Sequence, residues 1–286
     1  MTGPVALAIH GGAGRRSKAD YAPERAFLAD LAQRLWQALA SGQGAIDVVT
    51  DGATALEACG LFMAGRGARP GSTGLYELDA AVMDGLTRRA GAVAALQGFE
   101  SPIAAARLVM ERTPHVLMAG AGAAALAEAE GLAQIADEAV WFNGAFIPEA
   151  EDAGHGTVGC VALDGEGRLA AATSTAGTQG KLWGRVGDSP LIGAGTWADD
   201  QVAVSCTGLG EAFIRCAASA QIAMRLRFGR QALDGACGAV LDEVAALGGR
   251  GGLIALDRQG RIAALFNAQF MAFAAAGPDG AVRAEA

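Results

Sequence analysis

The order in which periodic segments follow one another constrains this chain more than any single motif in it. Strands lead into helices in the first half, helices lead into strands in the second, and that order points to two sheets covered by helices. Val5 to Ile9 is a short apolar run, read as a buried strand entering the glycine turn His10-Gly11-Gly12-Ala13-Gly14. Pro23 opens a helical pattern through Leu28, Leu31, Leu35 and Leu39 that Gly42 closes, and a second helix fits Ala45 to Cys59. After a loop-like stretch from Gly60 to Gly74, Leu78 to Met83 and Ala90 to Leu96 read as paired strands turning at Asp84-Gly85. Ser101 caps a helix that begins at Pro102 and runs to Arg112. His115 to Met118 is expected as a short strand, and Ala121 to Glu130 as a helix ended by Gly131.

From Asp137 to Gly156 periodicity is lost and acidic residues gather: Glu138, Glu149, Glu151 and Asp152. This segment, closing on Gly154-His155-Gly156, reads as a linker or as the exposed end of a first half. Beyond it Thr157 to Leu163 and Leu169 to Thr175 form a hairpin pattern around Asp164-Gly165-Glu166-Gly167. Val202 to Cys206 is a strand entering Thr207-Gly208-Leu209-Gly210 and a helix from Glu211. A further helix runs to about Leu247, and a last hairpin joins Leu253 to Leu256 with Ile262 to Phe266. No internal repeat is visible.

Composition narrows the classes of function. The chain has 286 residues and a formal charge of −8, with no Lys/Arg cluster, which argues against nucleic acid or an anionic membrane surface as its partner. No apolar stretch is long enough to span a bilayer, and the start carries no basic segment of a secretory signal. The five cysteines are scattered and form no CxxC, so reduced thiols in a cytoplasmic protein are expected. His10, His115 and His155 lie far apart without metal-ligand spacing.

The chemistry concentrates in residues 154–195, where a threonine stands at the head of a strand after Gly-His-Gly. On its own the Thr157 hydroxyl is a weak nucleophile, and a bare Gly-Thr pair is far more often an ordinary strand start. Cutting the Gly156–Thr157 bond would place an α-amine beside that hydroxyl, the arrangement by which a terminal threonine is activated. With a pKa of about 7.7–8.0, such an amine is poised to exchange protons near neutrality. Arg185 and Asp188, three apart in GRVGDS, suit the two charges of one small zwitterion, though an ordinary surface ion pair would have the same spacing. TGLGEAF lacks the third glycine of a dinucleotide loop, and Lys181 stands in no phosphate-loop pattern.

Nine stretches, in order along nearly the whole chain, carry a resemblance. They are AIHGGAG (8–14), LFMAGRGA (61–68), ELDAAVMDG (77–85), AGAVAAL (90–96), GTVGCVALD (156–164), AAATSTAG (170–177), GRVGDSPLIGAG (184–195), SCTGLGE (205–211) and GGLIALD (251–257). With them the chain resembles the plant-type L-asparaginase and isoaspartyl aminopeptidase (β-aspartyl-peptidase) family of N-terminal-nucleophile hydrolases. The resemblance implies a mixed α/β (α+β) fold, a four-layer αββα sandwich, made as one domain over residues 1–286. Self-cleavage would then give an α chain of residues 1–156 and a β chain of residues 157–286, with two αβ units pairing into a heterotetramer.

The same resemblance implies roles. Gly156 and Thr157 flank the self-cleavage bond, and Thr157 becomes the catalytic nucleophile while Thr175 orients its amine. Arg185 holds the substrate α-carboxylate and Asp188 its α-amino group. The Thr207 hydroxyl and the Gly208 N–H, placed before a predicted helix, form an oxyanion hole, and Gly210 lets the backbone approach the ligand. Gly11 and Gly12 match a turn packed beside the site, with His10 as a structural residue. The carbonyls of Leu56, Glu57, Cys59, Phe62, Ala64 and Arg66 match a loop that wraps a sodium ion in relatives; no other cofactor is implied. Three positions depart from the family pattern: Met63 where relatives carry Asn, Leu209 in the TGxGE turn, and TAGTQGK at 175–181.

The expected activity is hydrolysis of β-aspartyl (isoaspartyl) dipeptides and peptides to release L-aspartate, with some L-asparaginase activity. The alternatives are an L-asparaginase or glycosylasparaginase-like amidase, or an unprocessed, non-catalytic amino-acid-binding relative. Met63 and Leu209 point to peptide-like or apolar leaving groups over free asparagine.

Overall fold

Alternate residues of the first strand already separate two cores. The computed structural model describes residues 3–15, 20–143 and 156–286. In β1 (Ala6–Gly14), Leu7 and Ile9 join the apolar cluster of α1 (Ala22–Ala40) and α2 (Ala45–Ala58), with Leu28, Leu31, Leu35, Val48, Val49 and Leu56. Ala6 and Ala8 turn the other way and meet residues of a second sheet, as the two-residue period of a strand requires. Each large aliphatic side chain fully buried on the helix side contributes about 1.5–3 kcal/mol of transfer free energy.

The chain continues with β2 (Leu78–Asp84), β3 (Ala90–Leu96), α3 (Pro102–Arg112), β4 (Leu117–Ala119), α4 (Gly120–Ala129) and the short α5 (Glu138–Trp141). Then come β5 (Gly156–Leu163), β6 (Leu169–Gly177), β7 (Thr196–Ala198), β8 (Val202–Gly208), α6 (Gly210–Arg215), α7 (Ala218–Arg227) and α8 (Leu233–Ala246). Strands β9 (Gly251–Asp257), β10 (Ile262–Phe266), β11 (Phe270–Ala276) and β12 (Val282–Glu285) finish it. One sheet runs β12-β11-β1-β5-β6-β2-β3-β4 and the other β10-β9-β8-β7. Helices α1, α2 and α3 pack on the larger sheet, α7 and α8 on the smaller, and the sheets pack on each other through β5 and β8. The four layers are helix, sheet, sheet, helix, as expected.

Several elements differ from the sequence reading. The glycine run after Ile9 is not a turn: β1 continues to Gly14 through a bulge of its own between His10 and Ala13 where it pairs with β11, with Gly12 at φ 107°. The fourth strand begins at Leu117, not His115. The helix expected from Glu211 breaks after Arg215, where Ala217 takes φ 49°, and resumes at Ala218. The hairpin β9–β10 is not the last: β11 follows it and returns to pair with β1, and β12 pairs with β11. Within the expected linker, Asp137 caps α5 by accepting from the Ala139 N–H at 2.9 Å. Residues 144–155, which include Glu149, Glu151, Asp152, Gly154 and His155, lie outside the described residues.

Candidate active site

Strand register sets three hydroxyl and carboxyl side chains in one row. Thr157 of β5 stands opposite Thr175 of β6, and Thr175 stands opposite Asp79 of β2. Directly opposed residues share a face, and this is the face that also carries Val161, Leu163 and Ala171 into the layer between the sheets. The inter-sheet layer is therefore apolar at one end and polar at the other.

At the polar end Thr157 and Thr175 are 4% and 2% exposed, so their hydroxyls are shielded from water. The Thr157 Oγ1 donates to the Thr175 Oγ1 at 3.2 Å, and Thr175 Oγ1 donates to the Gly156 carbonyl. The Gly177 N–H completes the pattern by donating to Thr175 Oγ1 at 2.9 Å. The register slips between Gly156 and Thr157, leaving Ala176 as an extra residue on β6, and its N–H donates to the Met63 carbonyl at 3.3 Å. This bulge lies at the expected cleavage bond, and no local sequence signal marked it.

Glycines set how closely the neighbours approach. A Cβ on Gly156 would lie 1.8 Å from the Met63 Cβ, so Met63 packs directly on the residue before Thr157. A Cβ on Gly11 would lie 2.2 Å from the Phe62 ring. A Cβ on Gly159 would lie 2.0 Å from Ser205 Oγ and 2.5 Å from His10 Nε2. That vacancy lets His10 Nε2 and Ser205 Oγ hydrogen-bond at 2.9 Å, with Ser205 Oγ 2.7 Å from Thr173 Oγ1. Burial pushes the His10 imidazole down to about 3. It is neutral at physiological pH and too weak a base to serve as the proton acceptor, which matches the structural role expected for it.

Thr207 and Gly208 end β8. The Ala13 N–H donates to Thr207 Oγ1 at 3.2 Å, which leaves the hydroxyl proton available to a ligand. Gly208 takes φ 143°, and a Cβ there would lie 2.4 Å from the Arg250 carbonyl. Phe213, fully buried, packs its ring edge against Gly208 and Gly251. The helix beyond has only six residues, so its anion-friendly character is local to its first N–H groups.

Arg185 and Asp188 converge on Gly210, whose missing side chain admits them. A Cβ there would lie 2.9 Å from Asp188 Oδ1 and 3.1 Å from Arg185 Nη2. Gly210 thus makes room for these two side chains, a reason the sequence did not supply. Glu211 holds the guanidinium in a fork, with Nε and Nη2 donating to its two oxygens at 2.9 and 2.8 Å. Asp188 is 3% exposed, its Oδ2 has no hydrogen-bond partner among the described residues, and burial pushes its carboxyl up to about 7. A buried, unpaired carboxylate is costly, and an ammonium placed against it would relieve that cost.

The loop after α2 is wound tightly. Built Cβ atoms on Gly65 and Gly67 would lie 2.6 Å from the Glu57 carbonyl oxygen and 1.9 Å from that of Phe62. Of the six carbonyls named for sodium, those of Leu56, Phe62, Ala64 and Arg66 each accept one internal hydrogen bond, and each keeps a second lone pair. The Glu57 carboxyl is occupied elsewhere, accepting from Ser101 Oγ at 2.6 Å and the Ile103 N–H at 3.0 Å at the start of α3. The donors left for an ion are uncharged carbonyl oxygens, a set that fits a hard monovalent cation. Among the described residues, no group of three or more His, Cys, Asp or Glu side chains could hold a metal ion.

Sequence reasoning missed Glu211, Asp79 and Glu77 as neighbours of the site. Glu77 and Asp79 carried a signal, as charged residues at the start of the ELDAAVMDG run.

Comparison with known proteins gives consistent matches. The family profile described as asparaginase matches residues 3–145 and 138–283. The chain is 45% identical to the isoaspartyl peptidase of Salmonella typhimurium, over 93% of each chain. It is 45% identical to the isoaspartyl peptidase of Escherichia coli, over 94% of this chain and 92% of the other. It is 41% identical to the plant-type L-asparaginase of Pyrobaculum calidifontis, over 98% and 99%.

Proposed function

The chain belongs to the asparaginase family, and from that premise we propose that it hydrolyses β-aspartyl peptides to release L-aspartate, with L-asparaginase activity beside it. The nucleophile is Thr157, freed by self-cleavage of the Gly156–Thr157 bond. The observation that carries this reading is the Thr175 hydroxyl, which accepts from Thr157 Oγ1 and donates to the Gly156 carbonyl. In the uncut chain that contact polarises the carbonyl and holds the attacking oxygen beside it. Attack of Thr157 Oγ1 on the Gly156 carbonyl carbon breaks the peptide C–N bond and forms an ester, and water resolves it. The released α-amine then serves as the base for the Thr157 hydroxyl.

In turnover, Arg185 takes the substrate α-carboxylate through the guanidinium edge that Glu211 leaves uncovered. The α-ammonium enters beside Asp188 Oδ2 and supplies the missing partner of that carboxyl. Thr157 attacks the side-chain carbonyl of the aspartyl residue, and the charge on its oxygen faces the Thr207 hydroxyl and the Gly208 N–H. One such donor is worth about 3–4 kcal/mol of barrier. The amine leaves, and water hydrolyses the aspartyl ester. The carbonyls of Leu56, Glu57, Cys59, Phe62, Ala64 and Arg66 would hold a sodium ion, which would supply no reaction step and would stiffen the loop that carries Phe62 and Met63.

Met63 against Gly156, half-buried Leu209, and Leu182 and Trp183, 75% and 70% exposed on the stretch leading to Arg185, support a preference for peptide leaving groups over ammonia. Two αβ units pair, and the five free cysteines suit a cytoplasmic protein. Assaying a β-aspartyl dipeptide, asparagine and a glycosylasparagine side by side tests the assignment. The dipeptide should give the highest kcat/KM; equal turnover of asparagine would contradict the leaving-group preference, and no turnover of any would contradict the function.

A further inference from the structure

The stretch that carries Arg185 leaves β6 at Gly177 and reaches Asp188 without regular secondary structure. Two anchors tie it to the strand beside the nucleophile hairpin. Lys181 is buried, and its Nζ donates to the Glu77 carbonyl at 2.9 Å and lies 3.9 Å from Asp79 Oδ2. The Gly184 N–H, immediately before Arg185, donates to both carboxylate oxygens of Glu77 at 3.2 Å. Asp79 is itself held, its Oδ1 accepting from the Ala95 N–H at 2.8 Å, and it stands opposite Thr175 in the ladder. At Gly177 the two cations come together: a Cβ there would lie 2.9 Å from Lys181 Cδ and 3.2 Å from Arg185 Nη1.

Burying an ammonium and a carboxylate costs several kcal/mol per ion before their attraction returns any of it. Apolar residues of similar size would hold an ordinary loop at lower cost. What the charged pair adds is direction, because it ties the arm to the strand register that also sets Thr175. We propose that Lys181 and Glu77 are positioning residues that fix the reach of Arg185 toward the substrate α-carboxylate relative to Thr157. This rests on the reading of Arg185 as the carboxylate grip. The aspartyl α-carboxylate lies away from the bond being broken, so a grip on it contributes equally to ground and transition states and appears in KM.

The test uses the full-length, self-processed protein and a β-aspartyl dipeptide, with the variants Lys181→Met, Glu77→Ala, their combination, and Arg185→Lys. Lys181→Met and Glu77→Ala should each raise KM by about tenfold or more while kcat stays within about threefold. Self-cleavage before Thr157 should still go to completion, because it uses the hairpin and not the arm. Since both residues act through one arm, the double variant should fall well short of the product of the two single effects. A fall in kcat at unchanged KM, no effect on either, or multiplicative effects would overturn the proposal. Should Lys181→Met not fold, Glu77→Ala alone decides, since it leaves the Glu77 carbonyl and the Lys181–Asp79 pair in place. If Arg185→Lys leaves KM unchanged, the underlying reading of Arg185 fails instead.

Discussion

The two faces of the eight-stranded sheet are built from the same strands and do different work. Toward α1, α2 and α3 the face presents Leu7, Ile9, Val82, Val158, Cys160 and Ala172, and it is mainly apolar, with Ser174 beside Glu57 and Asp84 at the end of β2 as polar positions. Toward the smaller sheet it presents Ala6, Ala8, Val161, Leu163 and Ala171 at one end, then His10, Asp79, Thr157, Thr173 and Thr175 against Ser205 and Thr207 at the other. The first face supplies stability by burial. The second holds sheets close with alanines and gives up apolar packing at one end to bury hydroxyls and charges where water is excluded. The comparison teaches that chemistry here is placed by strand parity: moving a residue by one position would carry it to the other core.

Substitutions on the two faces should therefore separate activity from stability. Thr157→Ala should abolish both self-cleavage and hydrolysis, a loss of at least about 10⁴-fold, with a melting temperature no lower than that of the uncut wild type. Gel analysis and calorimetry of the same sample check it, and Thr157→Ser should retain part of both activities. Leu28→Ala, under the opposite face, should cost about 2–5 kcal/mol of stability. Its self-cleavage at low temperature should be unaffected, which denaturant titration followed by mass analysis would read. Asp188→Asn should lower kcat/KM for a β-aspartyl dipeptide by about 10–100-fold, the worth of a hydrogen bond to a charged group. It should not destabilise the substrate-free protein, because the buried unpaired charge is gone.

The smallest expected effect is a pH dependence. Burial raises the Asp188 and Glu57 carboxyls to about 7, so their contribution to stability is present below the ordinary carboxylate range and lost as pH rises through 7. His10, lowered to about 3, contributes above its ordinary 6.5 and loses that contribution as pH falls toward 3. Between about pH 4.5 and 6.5 the two carboxyls outweigh the one imidazole, and the substrate-free protein should lose stability as pH rises. Removing the Asp188 carboxyl in Asp188→Asn should reduce that slope by about 1.4 kcal/mol per pH unit. Thermal melts of the Thr157→Ala form of each, from pH 4.5 to 8, would show it. Identical slopes would contradict the effect of burial on the Asp188 carboxyl.

What could be read from the sequence was local. The hairpin of β5 and β6, the Ser101 cap and the helices α1 and α2 follow from turn residues and from apolar periodicity, and each fell close to its expected bounds. The alanine-rich β11 (FMAFAAA) has no period that separates a strand from a helix, and only its pairing with β1 at the far end of the chain makes it a strand. The break at Ala217 and the bulge at Gly156 are settled by tertiary contacts, of Cys216 and Phe213 buried against the smaller sheet and of Met63 against Gly156. The candidate residues the sequence offered were those standing in contiguous motifs. Glu77 and Asp79 stand 98 and 96 positions away from Thr175, Lys181 lies on an irregular arm, and their meeting depends on strand register across the sheet.

Intact-mass analysis of the purified protein under denaturing conditions, with N-terminal sequencing of any fragments, tests the central claim most directly. Cleavage before Thr157 should divide the 28.7 kDa chain into pieces of about 15.7 and 13.0 kDa, in proportion to 156 and 130 of its 286 residues, the smaller beginning Thr-Val-Gly-Cys. A chain that remains at 28.7 kDa and yet hydrolyses a β-aspartyl dipeptide would contradict Thr157 as an N-terminal nucleophile.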